Sequence, residues 1–323
     1  MRIRDKTPYF SGDIIARVFL IFILLPLSAK QSWAQNEDLK EATTNLAQIS
    51  SQAQLVILGE NHLTTKLGEV VTEVAQRLSV QKPVDCLFFE LSTDLQPALD
   101  QYAFDQNQRK FLRALYQTAR PYQEKALEKI RLEIKGRSQD PQWKWQSFSE
   151  QKLLEKSVTL PFSSALLTWA KDNKVKLIAY DVTMKSPDFF ASIYFGLLAE
   201  LAWDRFFQSD KKTQYLKVMS KRNQIMANHI AESFQDGSCH RGLAVVGLDH
   251  LLSQKGVVAN VGEELNYHSL GYFVQLARIQ TMSFVLRPEI PPESGLRQMQ
   301  FYTHHESMGY YDQLSGLILL PGQ

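Results

Sequence analysis

The chain has 323 residues, of which 44% are hydrophobic and 22% are charged, a globular composition that excludes a disordered, collagen-like or coiled-coil chain. Five of the 36 basic residues and two of the 34 acidic residues lie in residues 1–34, so the rest of the chain is within about one charge of neutral. A chain without a basic field does not attract phosphate groups. We therefore exclude nucleic acid and an acidic membrane surface as partners.

The first 34 residues have the pattern of a signal peptide. An apolar run at residues 18–28 follows a net-positive segment and is shorter than the roughly 20 residues that a membrane-spanning helix needs. Ser32 and Ala34 place small residues where a signal peptidase requires them, for cleavage after Ala34. We predict an exported protein, periplasmic or secreted, without a transmembrane segment in the mature chain. The alternative is an N-terminal anchor that is not cleaved.

Four short apolar runs that end at polar residues are typical of buried parallel strands. They are Gln54–Leu58, Cys86–Glu90, Val175–Tyr180 and Gly242–Gly247. Helix-like sequence follows each run; in Thr64–Leu78 the apolar residues recur with the spacing of a helix packed on a sheet. Beyond the fourth run we predict a helix at about 257–266, a fifth strand at 272–279 and a sixth at 315–320.

A Gln-, Lys- and Trp-rich insertion at about residues 95–171 separates the second and third predicted strands. It is typical of several helices, with breaks expected at Pro121 and Pro141. Strands that alternate with helices imply an α/β fold with a mostly parallel sheet flanked by helices. We predict one such domain over residues 35–323.

Ionisable residues follow all four predicted strands. The first strand leads to Glu60 and His62, the second to Glu90, the third to Asp181 and the fourth to His250. Ligands of parallel α/β sheets bind outside the carboxyl ends of the strands. One polar residue after a strand is usually a helix cap, but a whole set predicts general acid/base chemistry, or a metal site with nitrogen and oxygen ligands.

The motif Gly-x-x-His occurs twice, each time directly after an apolar strand, at 59–62 and at 247–250. Glycine lets the chain turn sharply at the edge of the sheet, so that the histidine projects over that edge. In the metal interpretation, the candidate ligands are Glu60, His62, Glu90 and His250.

Arg222 lies on the apolar face of the helical sequence at 215–230, beside Met219 and Met226. A buried arginine needs a carboxylate partner because an unpaired buried charge is costly. Glu60, Glu90 or Asp181 could supply it. The alternative is that the guanidinium group reaches solvent at the edge of the helix.

The two cysteines, Cys86 and Cys239, are an even pair, which in an oxidising compartment favours a disulfide. Each lies at the amino end of a predicted strand, and parallel strands place all their amino ends at one edge of the sheet. We predict a disulfide at the edge opposite the ionisable residues. The alternative is two small buried side chains separated by another strand.

Several common catalytic motifs are missing from the sequence, namely G-x-S-x-G, the P-loop and G-x-G-x-x-G. The chain therefore lacks the motifs that define serine hydrolases of the nucleophile-elbow type, P-loop NTPases and dinucleotide-binding enzymes.

The strand exits and the arginine helix together resemble a superfamily that joins ChaN-like haem-binding proteins, TIKI/TraB proteins and erythromycin-esterase-like proteins. The similar segments are LVILGENH (55–62), FFELSTDLQPALDQY (88–102), LIAYDV (177–182), RNQIMANHI (222–230), VVGLDHL (245–251) and the closing strand YYDQLSGLILL (310–320). The second segment and the exported context are most similar to the ChaN-like branch. The arginine helix also suits the esterase branch.

The resemblance implies roles for particular residues. Glu60 and His62 match the first motif, Glu90 the acidic strand exit, Arg222 the helix arginine and His250 the second Gly-x-x-His. TIKI-like members are metal-dependent peptidases, esterase-like members are hydrolases that use His and Glu without a metal, and ChaN-like members bind haem. No tyrosine of this chain is assigned here as a haem ligand.

From these observations we predict an exported hydrolase that acts on a small molecule or a peptide. His62 or His250 would be the general base, and Glu60 and Glu90 would orient it or hold a divalent metal ion. Arg222 would neutralise the carboxylates or stabilise an oxyanion. The alternative function is a haem- or cofactor-binding protein of iron uptake that has no catalytic activity.

Overall fold

The computed structural model describes residues 40–41, 43–60, 67–134, 163–201, 211–258, 264–288, 310–311 and 314–320. The predicted signal peptide at residues 1–34 and the candidate base His62 lie outside the described residues. Within the described helices, none combines the length and the hydrophobicity that crossing a bilayer requires.

Strands and helices alternate along most of the described chain. The strands are β1 (Leu55–Glu60), β2 (Cys86–Ser92), β3 (Lys176–Asp181), β4 (Gly242–Gly247), β5 (Leu252–Val258), β6 (Glu264–Tyr267), β7 (Thr281–Pro288), β8 (Tyr310–Tyr311) and β9 (Leu314–Leu320). The helices are α1 (Leu67–Gln81), α2 (Gln96–Asp105), α3 (Gln108–Ile134), α4 (Ser164–Asp172), α5 (Pro187–Leu201), α6 (Lys211–Gln235) and α7 (Leu270–Leu276).

The main sheet has six strands in the order β3-β2-β4-β1-β7-β9, and its neighbouring strands pair in parallel throughout. A smaller antiparallel sheet has the order β6-β5-β8. The predicted α/β fold with a parallel sheet flanked by helices is therefore confirmed.

Helices cover both faces of the sheet, which explains why its strands are almost continuously apolar. Successive side chains of a strand point to opposite faces: Val56 and Leu58 pack with α1, α2 and α4, whereas Leu55 and Ile57 pack with α6 and α7. All six residues of β1 are buried. The connection from β1 thus leaves on one face of the sheet and the connections to and from β4 lie on the other.

The predicted helical insertion is confirmed in its described parts, where α2, α3 and α4 separate β2 from β3. The predicted break at Pro121 is wrong because α3 continues through that residue. Pro141 lies outside the described residues.

Two predictions beyond β4 are wrong. Residues 272–279, predicted as a strand, lie largely in α7, which Ser269 caps by accepting a hydrogen bond from the Tyr272 N–H. Leu270 and Val274, four residues apart, bury one side of this helix, and the strand that follows is β7. The predicted helix at 257–266 is replaced by β5 and β6 in its described residues. The predicted sixth strand is confirmed as β9.

The predicted disulfide is also wrong, since Cys86 and Cys239 are both free and buried. They do lie at the amino edge of neighbouring strands, but Cys86 is in register with Gly242, three residues beyond Cys239. Cys239 therefore belongs to the loop before β4. The Cys86 thiol faces the Ser238 carbonyl at 3.5 Å, and the Cys239 thiol faces an Asp85 oxygen at 3.5 Å.

Candidate functional site

The candidate site lies at the carboxyl ends of β1 and β4. These strands are neighbours, with Glu60 in register with Gly247, yet β1 leads to α1 on one face of the sheet and β4 leads towards α7 on the other. Parallel α/β proteins bind ligands in the crevice expected where adjacent strands send their connections to opposite faces of the sheet, so the topology places a candidate site at this edge.

A buried ion group occupies this edge, with Arg222 of α6 between two carboxylates. Its Nε donates to Asp181 at 2.7 Å, and its Nη2 donates to Glu90 at 2.8 Å and also to the second Asp181 oxygen. The Asp181 side chain is 3% exposed, whereas those of Arg222 and Glu90 are 13% and 12% exposed. The predicted carboxylate partners of Arg222 are therefore Asp181 and Glu90.

The two carboxylates hold Arg222 in its charged form. Burial alone would lower the pKa of Arg222, but the charges of Asp181 and Glu90 outweigh burial and raise it. Burial, followed by the same two carboxylates, raises the pKa of the neighbouring Tyr180 well above its ordinary value. The Tyr180 hydroxyl instead donates to the Val245 carbonyl at 3.1 Å, so this side chain is a neutral support under the site.

Glu90 links the ion group to β4 and to the turn that follows it. Its Oε2 accepts from the Gly247 N–H at 2.5 Å, and its Oε1 lies 3.0 Å from His250 Nε2. His250 lies in the 3₁₀ turn Leu248–Leu251, directly after β4. One carboxylate thus ties together three elements, β2, β4 and α6.

Asn223 fixes the other side of the His250 ring. Its Nδ2 donates to the His268 carbonyl at 2.9 Å, and because a carbonyl can only accept, this contact turns Asn223 Oδ1 towards His250 Nδ1, with which it is hydrogen-bonded. Nδ1 must therefore carry a proton.

The opposite nitrogen of His250 also faces an acceptor. Nε2 meets the Glu90 carboxylate, which also accepts from Arg222. The His250 ring is thus held through both of its nitrogens, between Asn223 on one side and Glu90 on the other.

The structure brings four of the six predicted site residues into one hydrogen-bonded group, namely Glu90, Asp181, Arg222 and His250. Glu60 ends the adjacent strand β1 at the same edge and is 4% exposed. His62 follows two residues later, outside the described residues.

Sequence reasoning did not single out Asn223, which is fully buried. The available signal is its place in the helical repeat, because it lies four residues after Met219 and three before Met226, both buried. An amide on such an apolar face needs a hydrogen-bond partner, as Arg222 does beside it.

One described member of the predicted metal set, His250, fits a metal ion poorly. Both of its ring nitrogens are taken up by hydrogen-bonded contacts, with Asn223 and with Glu90. A ring nitrogen has at most one lone pair for a metal, so His250 would have to give up one of these contacts before it could be a ligand.

No known protein family and no curated protein matches the sequence. Among solved structures, the chain is similar to the type III effector HopBA1, with 13% identity, a TM-score of 0.42, and coverage of 77% of this chain and 83% of that one. It is also similar to RRSP, a MARTX toxin effector domain from Vibrio vulnificus, with 16% identity, a TM-score of 0.38, and coverage of 76% and 35%. Similarity at this level identifies neither a family nor an activity.

Proposed function

We propose that the protein is an exported hydrolase of the His/Glu type suggested by the ChaN, TIKI and erythromycin-esterase resemblance, acting without a metal ion in the crevice between β1 and β4. The observation that carries the proposal is the buried ion group of Glu90, Asp181 and Arg222, with His250 hydrogen-bonded to Glu90, at that edge of the sheet. Buried ionic groups are expensive to maintain, and this one lies where ligands of parallel α/β folds bind. The signal-peptide pattern at residues 1–34 supports action outside the cytoplasm.

The geometry divides the roles differently from the simplest sequence interpretation. His250 is 2% exposed and hydrogen-bonded at both nitrogens, so neither nitrogen is open to a substrate water. We assign it to positioning Glu90. The general base in this proposal is then His62, which follows Glu60 by two residues in the sequence.

Arg222 and Glu90 are the members of the group that reach the surface, at 13% and 12% exposure. Arg222 is suited to stabilise the negative oxygen that develops when water attacks an ester or a peptide carbonyl. An interaction of this kind commonly contributes about 3–4 kcal/mol to the transition state. Asp181 fixes the orientation of the guanidinium group by accepting from its Nε and its Nη2.

The proposal is tested by assaying the purified mature protein against panels of esters and peptides, before and after treatment with a chelator. We expect hydrolysis that survives chelation. His62→Ala should lower the rate by about 100- to 10,000-fold, the usual contribution of a general base, and Glu60→Gln should lower it strongly as well. Glu124→Gln is the matched control for the carboxylate variant, because this side chain of α3 is 61% exposed and pairs only with its exposed helical neighbour Arg120 in the contacts described.

The competing functions give different results in the same preparation. Haem titration that yields a Soret band at one haem per chain, with no hydrolysis of either panel, would identify the haem-binding alternative and overturn the proposal. Activity that chelation abolishes and added metal restores would identify a metal-dependent peptidase and overturn its metal-free form.

A further inference from the structure

A second cluster of chemically reactive side chains lies at the amino edge of the sheet, away from the crevice. Ligand atoms of Asp85, Cys86 and Cys239 all lie within 4.8 Å of one another. The two cysteines are 0% and 1% exposed, whereas the Asp85 side chain is 36% exposed. An ion could therefore enter from the carboxylate side and reach both sulfur atoms.

The fold holds these groups in place before any ion arrives. Asp85 directly precedes β2, and its carboxylate accepts from the His240 N–H and the Arg241 N–H, both at 2.9 Å. These bonds fix the loop that carries Cys239 against the start of β2, where Cys86 lies. The His240 Nδ1 is 3.2 Å from the same carboxylate and adds a fourth donor on the solvent side.

We propose that Asp85, Cys86, Cys239 and His240 form a binding site for a divalent thiophilic cation of the zinc type. Zinc takes four such ligands in a tetrahedron, at about 2.3 Å for sulfur and about 2.0–2.2 Å for nitrogen and oxygen. Donor atoms of such a tetrahedron are roughly 3.3–3.8 Å apart, which small side-chain adjustments reach for Asp85, Cys86 and Cys239, whose ligand atoms lie within 4.8 Å of one another. The exposed His240 ring, 3.2 Å from the Asp85 carboxylate, would turn to take the fourth position. The two thiols each release one proton to solvent when the ion binds. The two positive charges of the ion thus replace those of the two protons, and the net charge of the site is unchanged.

The nearby arginine leaves the carboxylate available to a cation. The Arg241 guanidinium does not compete for Asp85, since it donates to the carbonyls of Ser50, Leu78 and Lys82.

The site would act as a clip between the start of β2 and the loop before β4. A strand of six residues spans roughly 20 Å, so the ion would lie about that far from the crevice. Its effect is therefore on stability, independent of the proposed hydrolytic function.

Cobalt(II) titration of the reduced, metal-free full chain tests the proposal. We expect one ion per chain, with tetrahedral d–d bands and a thiolate-to-cobalt charge-transfer band, and a higher melting temperature when zinc is added. Cys239→Ser should remove the charge-transfer band, and His240→Ala should weaken binding by at least tenfold. Asp236→Asn is the matched control, since this exposed carboxylate lies in the same loop and should leave binding unchanged.

The proposal is overturned if cobalt gives no thiolate charge-transfer band, or if the band persists in Cys239→Ser. A reduced chain that forms an intramolecular disulfide in air and binds no ion beforehand would also overturn it. Cys86→Ser should also remove the charge-transfer band, but it replaces a fully buried residue of β2. If this variant does not fold, Cys239→Ser and His240→Ala, both in the loop before β4, test the proposal without it.

Discussion

At the scale of single residues, Arg222 is the one on which the site depends most. It satisfies Asp181 with two hydrogen bonds and Glu90 with a third, and Glu90 in turn holds His250. Removing the guanidinium would leave two buried carboxylates facing each other without a bridging cation. Loss of one side chain should therefore affect both stability and chemistry.

We predict that Arg222→Ala lowers the free energy of unfolding by about 3–5 kcal/mol, the usual cost of stranding one partner of a buried ion pair, and abolishes hydrolysis. Urea unfolding at neutral pH measures the first effect. Arg120→Ala is the control, because Arg120 forms an exposed helical pair with Glu124 whose loss should cost about 0.3–0.5 kcal/mol. Equal losses in the two variants would contradict the buried ion group.

At the scale of elements, the carboxyl end of β1 packs closely against the turn that carries His250. A Cβ at Gly59 would lie 2.4 Å from Leu251 Cδ1 and 3.0 Å from its Cγ, and Leu251 is 2% exposed. A side chain at position 59 must therefore displace the buried Leu251 side chain, which belongs to the turn Leu248–Leu251 that carries His250.

We predict that Gly59→Ala destabilises the protein by about 1–3 kcal/mol, as overpacking usually does, and lowers the catalytic rate because His250 shifts away from Glu90. Thermal unfolding and the ester assay measure the two effects. Gly237→Ala serves as the comparison: it is strained by a positive φ of 73° but meets no atom within 4 Å, so it should cost stability and spare activity. A Gly59 variant with normal activity would contradict the coupling.

At the scale of the whole molecule, carboxylates on either side of β2 tie the sheet together. Asp85 binds the loop before β4, as described above. Asp94 accepts from Thr183 Oγ1 at 2.6 Å and from the Met184 N–H at 2.7 Å, beyond the end of β3. For both carboxyls burial raises the pKa, but hydrogen bonds outweigh it and the pKa falls below 3.8.

A carboxyl whose pKa is lower in the folded state stabilises the protein above its unfolded pKa and loses that contribution as the pH falls. We therefore predict that the melting temperature falls steeply as the pH drops through about 4 and below, and that the double variant Asp85→Asn, Asp94→Asn is less stable at pH 7 but less sensitive to acid. Melting curves from pH 7 to pH 3, in the presence of a chelator, measure this. An unchanged pH dependence in the double variant would contradict the assignment.

The features that the sequence predicted well were those set by strong physical constraints. Asp181 and Glu90 follow apolar runs, and Arg222 interrupts an apolar helical stripe, so each needs a partner and parallel strands bring the partners to one edge. Residues 272–279 were mistaken for a strand because their apolar residues suit either element. Asn223 was missed because a buried amide resembles any other polar residue in a sequence, and its role comes from contacts with His250 and His268 that are distant along the chain.

The central position of β1 has a consequence for synthesis of the chain. β1 is made first, yet its two neighbours come from residues 242–247 and 281–288. Contacts so distant in sequence slow folding, and an apolar strand is prone to aggregate until its partner strands have been synthesised. A nascent chain therefore emerges from the ribosome with a fully buried strand unpaired until residues 242–247 have been made. The crevice between β1 and β4 is among the last parts to assemble, so incomplete chains carry no working site.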